Sequence, residues 1–188
     1  MKRIYIITAS PRKGANSDSM AELAAEQLRN KGAEVEIFNV REKKFDGCHG
    51  CDACKKTDVC VQKDDAAAII NKLKSCNCDG LLLISPVYFM QVPGPLKLLL
   101  DRFYVLFNPA KGTPAQSEQK KYAAVFTFGG APESVVQGIG EWTLFPVGLA
   151  GFGSHKFLLC GDENPRDSFK NSAANQRKVK ELADWLSE

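Results

Sequence analysis

The sequence lacks several features that would assign it quickly to a class of protein. No apolar run reaches the roughly 18 residues that a membrane-spanning helix needs. Basic and acidic side chains number 25 and 22, a balance too even to indicate a nucleic-acid-binding protein. The two histidines, His49 and His155, are far apart in the sequence, which gives little support to a Ser–His–Asp or Cys–His hydrolase. The chain opens on a strand pattern and not on a secretory signal, so we expect a cytoplasmic protein.

Three nucleotide and phosphate motifs are also missing. The first apolar strand is not followed by G-x-G-x-x-G, and the second ends at Val40 without an acidic residue to bind a ribose hydroxyl. The Walker pattern G-x-x-x-x-G-K-[ST] is absent. A phosphoacceptor module would need acidic residues where this chain has Thr8, Ala9 and Ser85. These absences argue against dinucleotide-binding, P-loop and phosphoacceptor proteins.

What the sequence does have is a regular alternation of strand and helix patterns. The 188 residues suit one domain, 1–188, with a full core. The pattern predicts strands at 3–9, 34–40, 80–85, 122–128 and 155–160, and helices at about 17–31, 64–75, 95–106, 134–147 and 168–186. The fourth helix is expected to be poorly defined because it contains Gly138 and Gly140, and the polar stretch 108–121 is expected to be a surface excursion. Alternation of this kind predicts an α/β, flavodoxin-like three-layer sandwich with a five-stranded parallel sheet of order 2-1-3-4-5.

The segment after the first strand has the composition of a phosphate site, and we call residues 10–17 the phosphate loop. Ser10, Arg12, Asn16 and Ser17 bring polar side chains to the point where a strand passes into a helix. A helix N-terminus there favours an anion, and Arg12 adds a full charge. A loop rich in hydroxyls suits a phosphate monoester, so FMN is the leading candidate. The alternative is an N-capped helix with a surface arginine.

Two further loops leave the same predicted sheet edge. The aromatic loop, residues 85–94, is rich in proline and aromatic residues and could lie along an isoalloxazine ring. The glycine loop, residues 127–132, allows close approach of backbone to a ligand. The residues that we assign to the flavin ring are Pro86, Val87, Tyr88, Phe89, Thr127, Phe128, Gly129 and Gly130. The alternative for the aromatic loop is that its two aromatic residues belong to the core.

Four of the seven cysteines lie on one segment, residues 46–63, which we call the cysteine loop. Cys48, Cys51, Cys54 and Cys60 are spaced C-x2-C-x2-C-x5-C. Four thiolates on a short loop can hold a [4Fe–4S] cluster, and four thiolates also suit tetrahedral zinc. The other three do not form a site: Cys76 and Cys78 are expected to be small buried side chains, and the phosphatase-like spacing of Cys160 with Arg166 is disfavoured by the intervening acidic residues.

Taken together, these motifs resemble the flavodoxin-fold NAD(P)H-dependent FMN reductases, and within them the iron–sulfur flavoproteins. The resemblance rests on residues 10–17, the cysteine loop with Asp64 and Asp65, the stretch 86–89, and 94–97 followed by Asp101 and Arg102. It implies that Ser10, Arg12, Asn16 and Ser17 bind the FMN phosphate, and that Lys97, Asp101 and Arg102 form a structural helix motif. Since related proteins often keep several of these cysteines without a cluster, a third possibility is a loop without metal that covers the flavin or a dimer contact.

The resemblance also implies an activity. We expect an FMN oxidoreductase that takes hydride from NAD(P)H and passes electrons to a quinone, a nitro or azo compound, a metal ion, free flavin or a redox protein. No side-chain acid or base is required for the hydride transfer, so no catalytic residue is assigned. The alternative is an electron carrier that uses FMN and a [4Fe–4S] cluster. A homodimer or tetramer is expected, and Phe103, Tyr104, Phe107, Trp142 and Phe145 are candidates for its contacts or for the core.

Overall fold

A computed structural model describes residues 1–74, 78–107, 120–162 and 164–188. Cys76 and most of the predicted surface excursion over 108–121 lie outside these residues. The predictions for those two segments therefore stay predictions.

The centre of the molecule is a five-stranded parallel sheet of order 2-1-3-4-5, as predicted. Its strands are β1 (Arg3–Thr8), β2 (Glu34–Asn39), β3 (Gly80–Pro86), β4 (Lys121–Thr127) and β5 (His155–Cys160). Each boundary lies within one residue of the predicted one. Every residue of β3 is buried, because this continuously apolar strand lies between β1 and β4 and is covered on both faces.

Helices cover both faces of the sheet. Those in the described residues are α1 (Asn16–Asn30), α2 (Ala53–Thr57), α3 (Asp65–Lys74), α4 (Gly94–Arg102), α5 (Glu133–Leu149), α6 (Ser168–Asn171) and α7 (Ala173–Ser187), with 3₁₀ turns at Val40–Glu42 and Phe103–Leu106. None of them is long and apolar enough to cross a lipid bilayer.

Three helical details differ from the prediction. The third predicted helix is α4 followed by a 3₁₀ turn, and the short α2 inside the cysteine loop was not predicted. The last predicted helix is divided in two at Ser172, whose side-chain oxygen accepts a hydrogen bond from the Asn175 amide at 3.3 Å and so starts a new helix.

The prediction that the fourth helix is poorly defined was wrong. α5 is a continuous helix of 17 residues despite its glycines and the internal Pro146. Its buried positions include Val136, Ile139, Gly140, Leu144 and Val147, a stripe with helical spacing. Packing of this stripe on the sheet outweighs the weak helix propensity of glycine.

The core has two halves, one on each face of the sheet. On β1 the side chains alternate, with Tyr5 and Ile7 in one half and Ile4 and Ile6 in the other. The first half is completed by α3, α4 and α5, and the second by α1, α6 and α7. Since all five strands run in the same direction, the loops after β1, β3 and β4 lie at one edge.

Candidate functional site

Backbone hydrogen bonds join the ends of the three strands that carry the predicted site. The Ala9 amide donates to the Ile84 carbonyl at 2.9 Å, and the Val87 amide donates to the Thr127 carbonyl at 2.8 Å. The phosphate, aromatic and glycine loops therefore start side by side. This is the carboxyl edge of the sheet, where open α/β folds bind their ligands.

In the phosphate loop the short polar side chains are buried and the arginine is not. Ser10, Asn16 and Ser17 are each no more than 3% exposed, whereas Arg12 is exposed. The Ser10 hydroxyl oxygen accepts a hydrogen bond from the Arg12 amide at 3.2 Å. At the N-cap of α1, Ala15 provides no side-chain hydrogen bond. An ordinary capped helix, the alternative for this segment, would have such a bond, so this N-terminus suits an external anion better.

The shape of the phosphate loop depends on two residues that sequence reasoning missed, Asp18 and Arg41. The Asp18 carboxylate accepts a hydrogen bond from the Gly14 amide at 2.7 Å, where Gly14 has a φ of +67°. Arg41 contacts both oxygens of that carboxylate at 2.9 Å and donates to the Ser10 carbonyl at 3.2 Å. Arg41 thus neutralises a carboxylate that would otherwise repel a phosphate. No local pattern marks the pair, because its members are 23 residues apart.

Asn16 connects the phosphate loop to the distant end of the chain. Its amide nitrogen donates to the Pro165 carbonyl and the Ser168 hydroxyl, both at 2.9 Å, and its oxygen accepts from the Phe169 amide at 3.2 Å. The Arg166 guanidinium also donates to a carbonyl in this loop, that of Lys13. The structure therefore places Asn16 as a structural link, and its contact with a phosphate stays a prediction.

A buried hydroxyl near the same edge has no protein partner. Thr8, the last residue of β1, is 1% exposed, and its Oγ1 lacks a hydrogen-bond partner within the described part of the chain. A hydroxyl left in this state costs free energy until it meets a polar group. Together with the buried serines, it fits a site for a polar ligand such as a flavin phosphate.

The aromatic loop forms a tight turn with its tip in solvent. Tyr88 and Gln91 exchange backbone hydrogen bonds at 2.8 and 3.1 Å. Between them, Phe89 and Met90 have φ values of +49° and +65°, a strained conformation for residues with side chains. Phe89 is fully exposed and Tyr88 is 37% exposed. These two aromatic residues therefore do not belong to the core, and they are accessible to a flat ligand.

The glycine loop is covered by a side chain from the segment after β5. A Cβ on Gly129 would lie 2.2 Å from the Asn164 side-chain oxygen, whereas a Cβ on Gly130 would meet nothing within 4 Å. Gly129 is thus needed for close packing as long as Asn164 keeps this position, and the backbone at Gly130 is open. Phe128 is buried and packs on Gly161.

The four thiols of the cysteine loop line one small cavity of about 20 Å³. Cys48 and Cys51 are exposed, and Cys54 and Cys60 are partly exposed. Among the described residues, no group of three or more His, Cys, Asp or Glu side chains is placed to hold a single metal ion. Zinc would need its sulfurs about 2.3 Å from one point, so this arrangement does not favour it. A four-iron cluster binds one thiolate at each iron, so the four thiols have the right donor chemistry for it, and the loop must widen to admit the cluster because the cavity is small.

α4 and the residues after it anchor the cysteine loop. Arg102 of α4, 2% exposed, donates to the Asp64 carboxylate at 2.8 and 3.0 Å and to the Asp46 carbonyl at 3.0 Å. The Lys55 ammonium donates to the Tyr104 carbonyl at 2.5 Å and lies 3.3 Å from the centre of that ring. Both contacts hold the cysteine loop against α4 and the 3₁₀ turn that follows it.

The sequence and the fold both have counterparts among known proteins. A family model described as NADPH-dependent FMN reductase matches residues 2–137. The chain belongs to this FMN reductase family. It is therefore a flavin-dependent oxidoreductase, as the resemblance implied.

Among the relatives of this FMN reductase family member are iron–sulfur flavoproteins of archaea. One from Archaeoglobus fulgidus is 33% identical over 92% of this chain and 76% of its own length. Another, from Methanocaldococcus jannaschii, is 29% identical over 87% of this chain and 78% of its own.

Solved structures share the fold at lower identity. The NAD(P)H:quinone oxidoreductase of Methanothermobacter marburgensis aligns with a TM-score of 0.72 at 15% identity, covering 100% of this chain and 98% of that one. An azoreductase of Bacillus anthracis aligns with a TM-score of 0.68 at 15% identity, covering 100% and 99%. An archaeal flavodoxin aligns with a TM-score of 0.61 at 12% identity, covering 98% and 96%.

Cys78, Cys160 and His155 of this FMN reductase family member have structural surroundings. Cys78 and Cys160 are fully buried, and burial raises the pKa of the Cys78 thiol to about 12, which keeps it protonated and unreactive. His155 stacks on Tyr122 with ring centroids 5.0 Å apart. His49, by contrast, is exposed and lines the cysteine cavity.

Proposed function

We propose that this chain binds FMN at the carboxyl edge of its sheet and oxidises NAD(P)H, passing electrons to a quinone, a nitro or azo compound, a flavin or a redox protein. The observation that carries the proposal is the meeting of three loops. Buried hydroxyls at an uncapped helix N-terminus lie beside an exposed aromatic turn and an open glycine turn. FMN, when bound, supplies the hydride and electron chemistry.

The chain's own residues divide the work of binding between the loops. Ser10 and Ser17 offer hydroxyls to the phosphate, and Arg12 reaches it from the solvent side. Residues 86–89 and 127–130 take the ring, where Phe89 is free to stack and Gly130 leaves its backbone accessible. Backbone N–H groups at these turns would stabilise negative charge on a reduced ring.

Arg12→Ala tests the phosphate site. We expect the affinity for FMN to fall about tenfold, because a charge-assisted hydrogen bond is lost, while the affinity for riboflavin, which has no phosphate, stays unchanged. Lys13→Ala removes a neighbouring exposed charge and serves as the matched control. Fluorescence titration of the apoprotein measures both ligands, and an equal loss for FMN and riboflavin would remove Arg12 from the phosphate site.

A second candidate function is electron transfer through an iron–sulfur cluster, and we propose that the cysteine loop holds a [4Fe–4S] cluster. Two observations favour it: all four thiols line one cavity, and the relatives named above are iron–sulfur flavoproteins. Cys54 and Val87 of the aromatic loop pack against the same half of the core. A cluster here would exchange single electrons with the flavin that the aromatic loop is expected to hold.

Cys54→Ser tests the cluster. We expect wild-type protein purified without oxygen to contain about four irons per chain, and the variant to lose iron while keeping FMN, because the two sites use different loops. Cys78→Ala, which changes a buried cysteine outside the loop, should keep its iron. Iron in the Cys54→Ser protein equal to wild type would contradict the assignment.

Turnover separates the two functions. Rapid oxidation of NAD(P)H in the presence of a quinone or an azo dye supports the enzyme. Slow oxidation of NAD(P)H, together with fast reduction of the protein by a ferredoxin, supports the electron carrier.

We also propose that the chain forms a homodimer or tetramer. Trp142 and Phe145 of α5 are 80% and 62% exposed and Tyr104 is 43% exposed, whereas Phe103 is buried in the core. Sedimentation velocity would measure the state, and a monomer at micromolar concentration would contradict it.

A further inference from the structure

Arg102 is the most deeply buried charged side chain near the cysteine loop. The residue is 2% exposed, and its guanidinium is held by Asp64 and by the Asp46 carbonyl through the two Nη atoms. Removing a guanidinium from water is expensive unless all of its donors are satisfied. The buried position therefore calls for a partner at each nitrogen.

One nitrogen of this guanidinium has no partner in the described part of the chain. Within the described residues, the Arg102 Nε has no hydrogen-bond partner. Arg102 also lines the cavity formed by the four cysteines. Asp64 and Asp46 accept from three of the four Nη–H groups, so the Nε–H and one N–H on Nη2 are left for a group in that cavity.

Cys60 lines the same cavity as the Arg102 guanidinium. Burial lowers the pKa of Arg102, but hydrogen bonding to Asp64 and the charge of Cys60 raise it more, so the net shift is upward. A neutral thiol accepts hydrogen bonds weakly, whereas a thiolate accepts them strongly.

We propose that Arg102 is the positioning residue of the cysteine site: its Nε–H donates to the Cys60 sulfur or to a sulfide of the bound cluster, and this hydrogen bond raises the cluster's reduction potential. The inference rests on the proposed cluster and adds a role to a residue assigned until now only to the fold. A buried positive charge stabilises the more negative, reduced form of a cluster, and hydrogen bonds to its sulfurs act in the same direction.

Arg102→Lys tests the proposal. Lysine keeps the positive charge for Asp64 but has no nitrogen at the Nε position. After anaerobic reconstitution with iron and sulfide, we expect iron content and FMN content close to wild type. At a fixed ambient potential the ratio of reduced to oxidised cluster should fall about tenfold, or about 59 mV for one electron. Lys97→Ala, an exposed change on the same helix, should leave the ratio unchanged.

A second measurement needs no variant. Wild-type protein labelled with ¹⁵N only in arginine, and reduced, should show a ¹⁵N coupling to the cluster in pulsed electron paramagnetic resonance. The coupling decides the question even if Arg102→Lys fails to fold.

The outcomes separate the two proposals. A shifted potential with a ¹⁵N coupling supports the role of Arg102. Four irons in the wild type, with an unchanged potential in Arg102→Lys and no ¹⁵N coupling, would overturn the role of Arg102 and leave the cluster in place. Wild-type protein that takes up no iron would overturn both.

Discussion

Asp64 shows how much can depend on a single carboxylate. One oxygen accepts a hydrogen bond from the Ala67 amide at 3.0 Å and so starts α3, and both oxygens pair with Arg102. Burial by itself would raise the pKa of Asp64, but the hydrogen bonds from Arg102 and Ala67 lower it more, and the net shift is downward. One residue therefore begins a helix, neutralises a buried guanidinium and steadies the cysteine loop.

Asp64→Asn separates the charge from the cap, because asparagine is an equally good helix cap. We expect the variant to lose about 3 kcal/mol of unfolding free energy at pH 7, since Arg102 is left buried without a counterion. Because the folded pKa of Asp64 is lowered, this stability is present above its unfolded pKa and is lost as the pH falls through the folded one. The difference between wild type and variant should therefore shrink below about pH 4.

Urea unfolding at pH 7 and at lower pH measures this difference. Asp101→Asn, which breaks the exposed pair with Lys97, should cost less than about 0.5 kcal/mol. If the difference in unfolding free energy between wild type and Asp64→Asn does not change with pH, the charge of Asp64 does not contribute to stability.

At the scale of a single element, α5 shows two glycines with opposite roles. Gly140 is buried, and a Cβ there would lie 2.8 Å from the Phe157 ring of β5. Gly138 is partly exposed, and a Cβ there would meet nothing within 4 Å. Gly140 lets the helix approach the sheet, whereas Gly138 only weakens the helix.

Substitution by alanine at positions 140 and 138 should therefore change the stability of the protein in opposite directions. We expect Gly140→Ala to destabilise the protein by about 1–3 kcal/mol through overpacking, and Gly138→Ala to stabilise it by about 0.5–1 kcal/mol through helix propensity. Thermal or urea unfolding of the two variants side by side measures the contrast. A gain in unfolding free energy for Gly140→Ala as well would mean that β5 shifts to accommodate the methyl group at position 140.

For the whole molecule, the parallel order of the sheet brings loops 40 or more residues apart in the sequence to one edge. This much could be predicted from the sequence, because strand–helix alternation and right-handed crossovers leave few topologies. The salt bridges Asp18–Arg41 and Asp64–Arg102 could not be predicted, since their members are 23 and 38 residues apart with no shared pattern. The left-handed turn at Phe89 and Met90 was also missed, because neither residue type favours it.

Ligand binding should stabilise the whole fold if FMN connects these loops. At a concentration 100 times its Kd, FMN adds about 2.7 kcal/mol, which raises the Tm of a chain of this size by roughly 5–10 °C. Riboflavin at the same concentration should raise it less, because the phosphate contacts are missing. Differential scanning fluorimetry of the apoprotein would measure both Tm shifts. Equal shifts for FMN and riboflavin would mean that the phosphate loop does not contribute to binding.

The bonds from Asn16 to Pro165, Ser168 and Phe169 span about 150 residues, and they have a consequence for biosynthesis. A chain leaves the ribosome N-terminus first, so the phosphate loop emerges about 150 residues before its partners. A nascent chain can form β1 and α1 long before Asn16 meets the carbonyl and hydroxyl that hold it. This loop therefore reaches its final shape only after residues 165–169 have been synthesised.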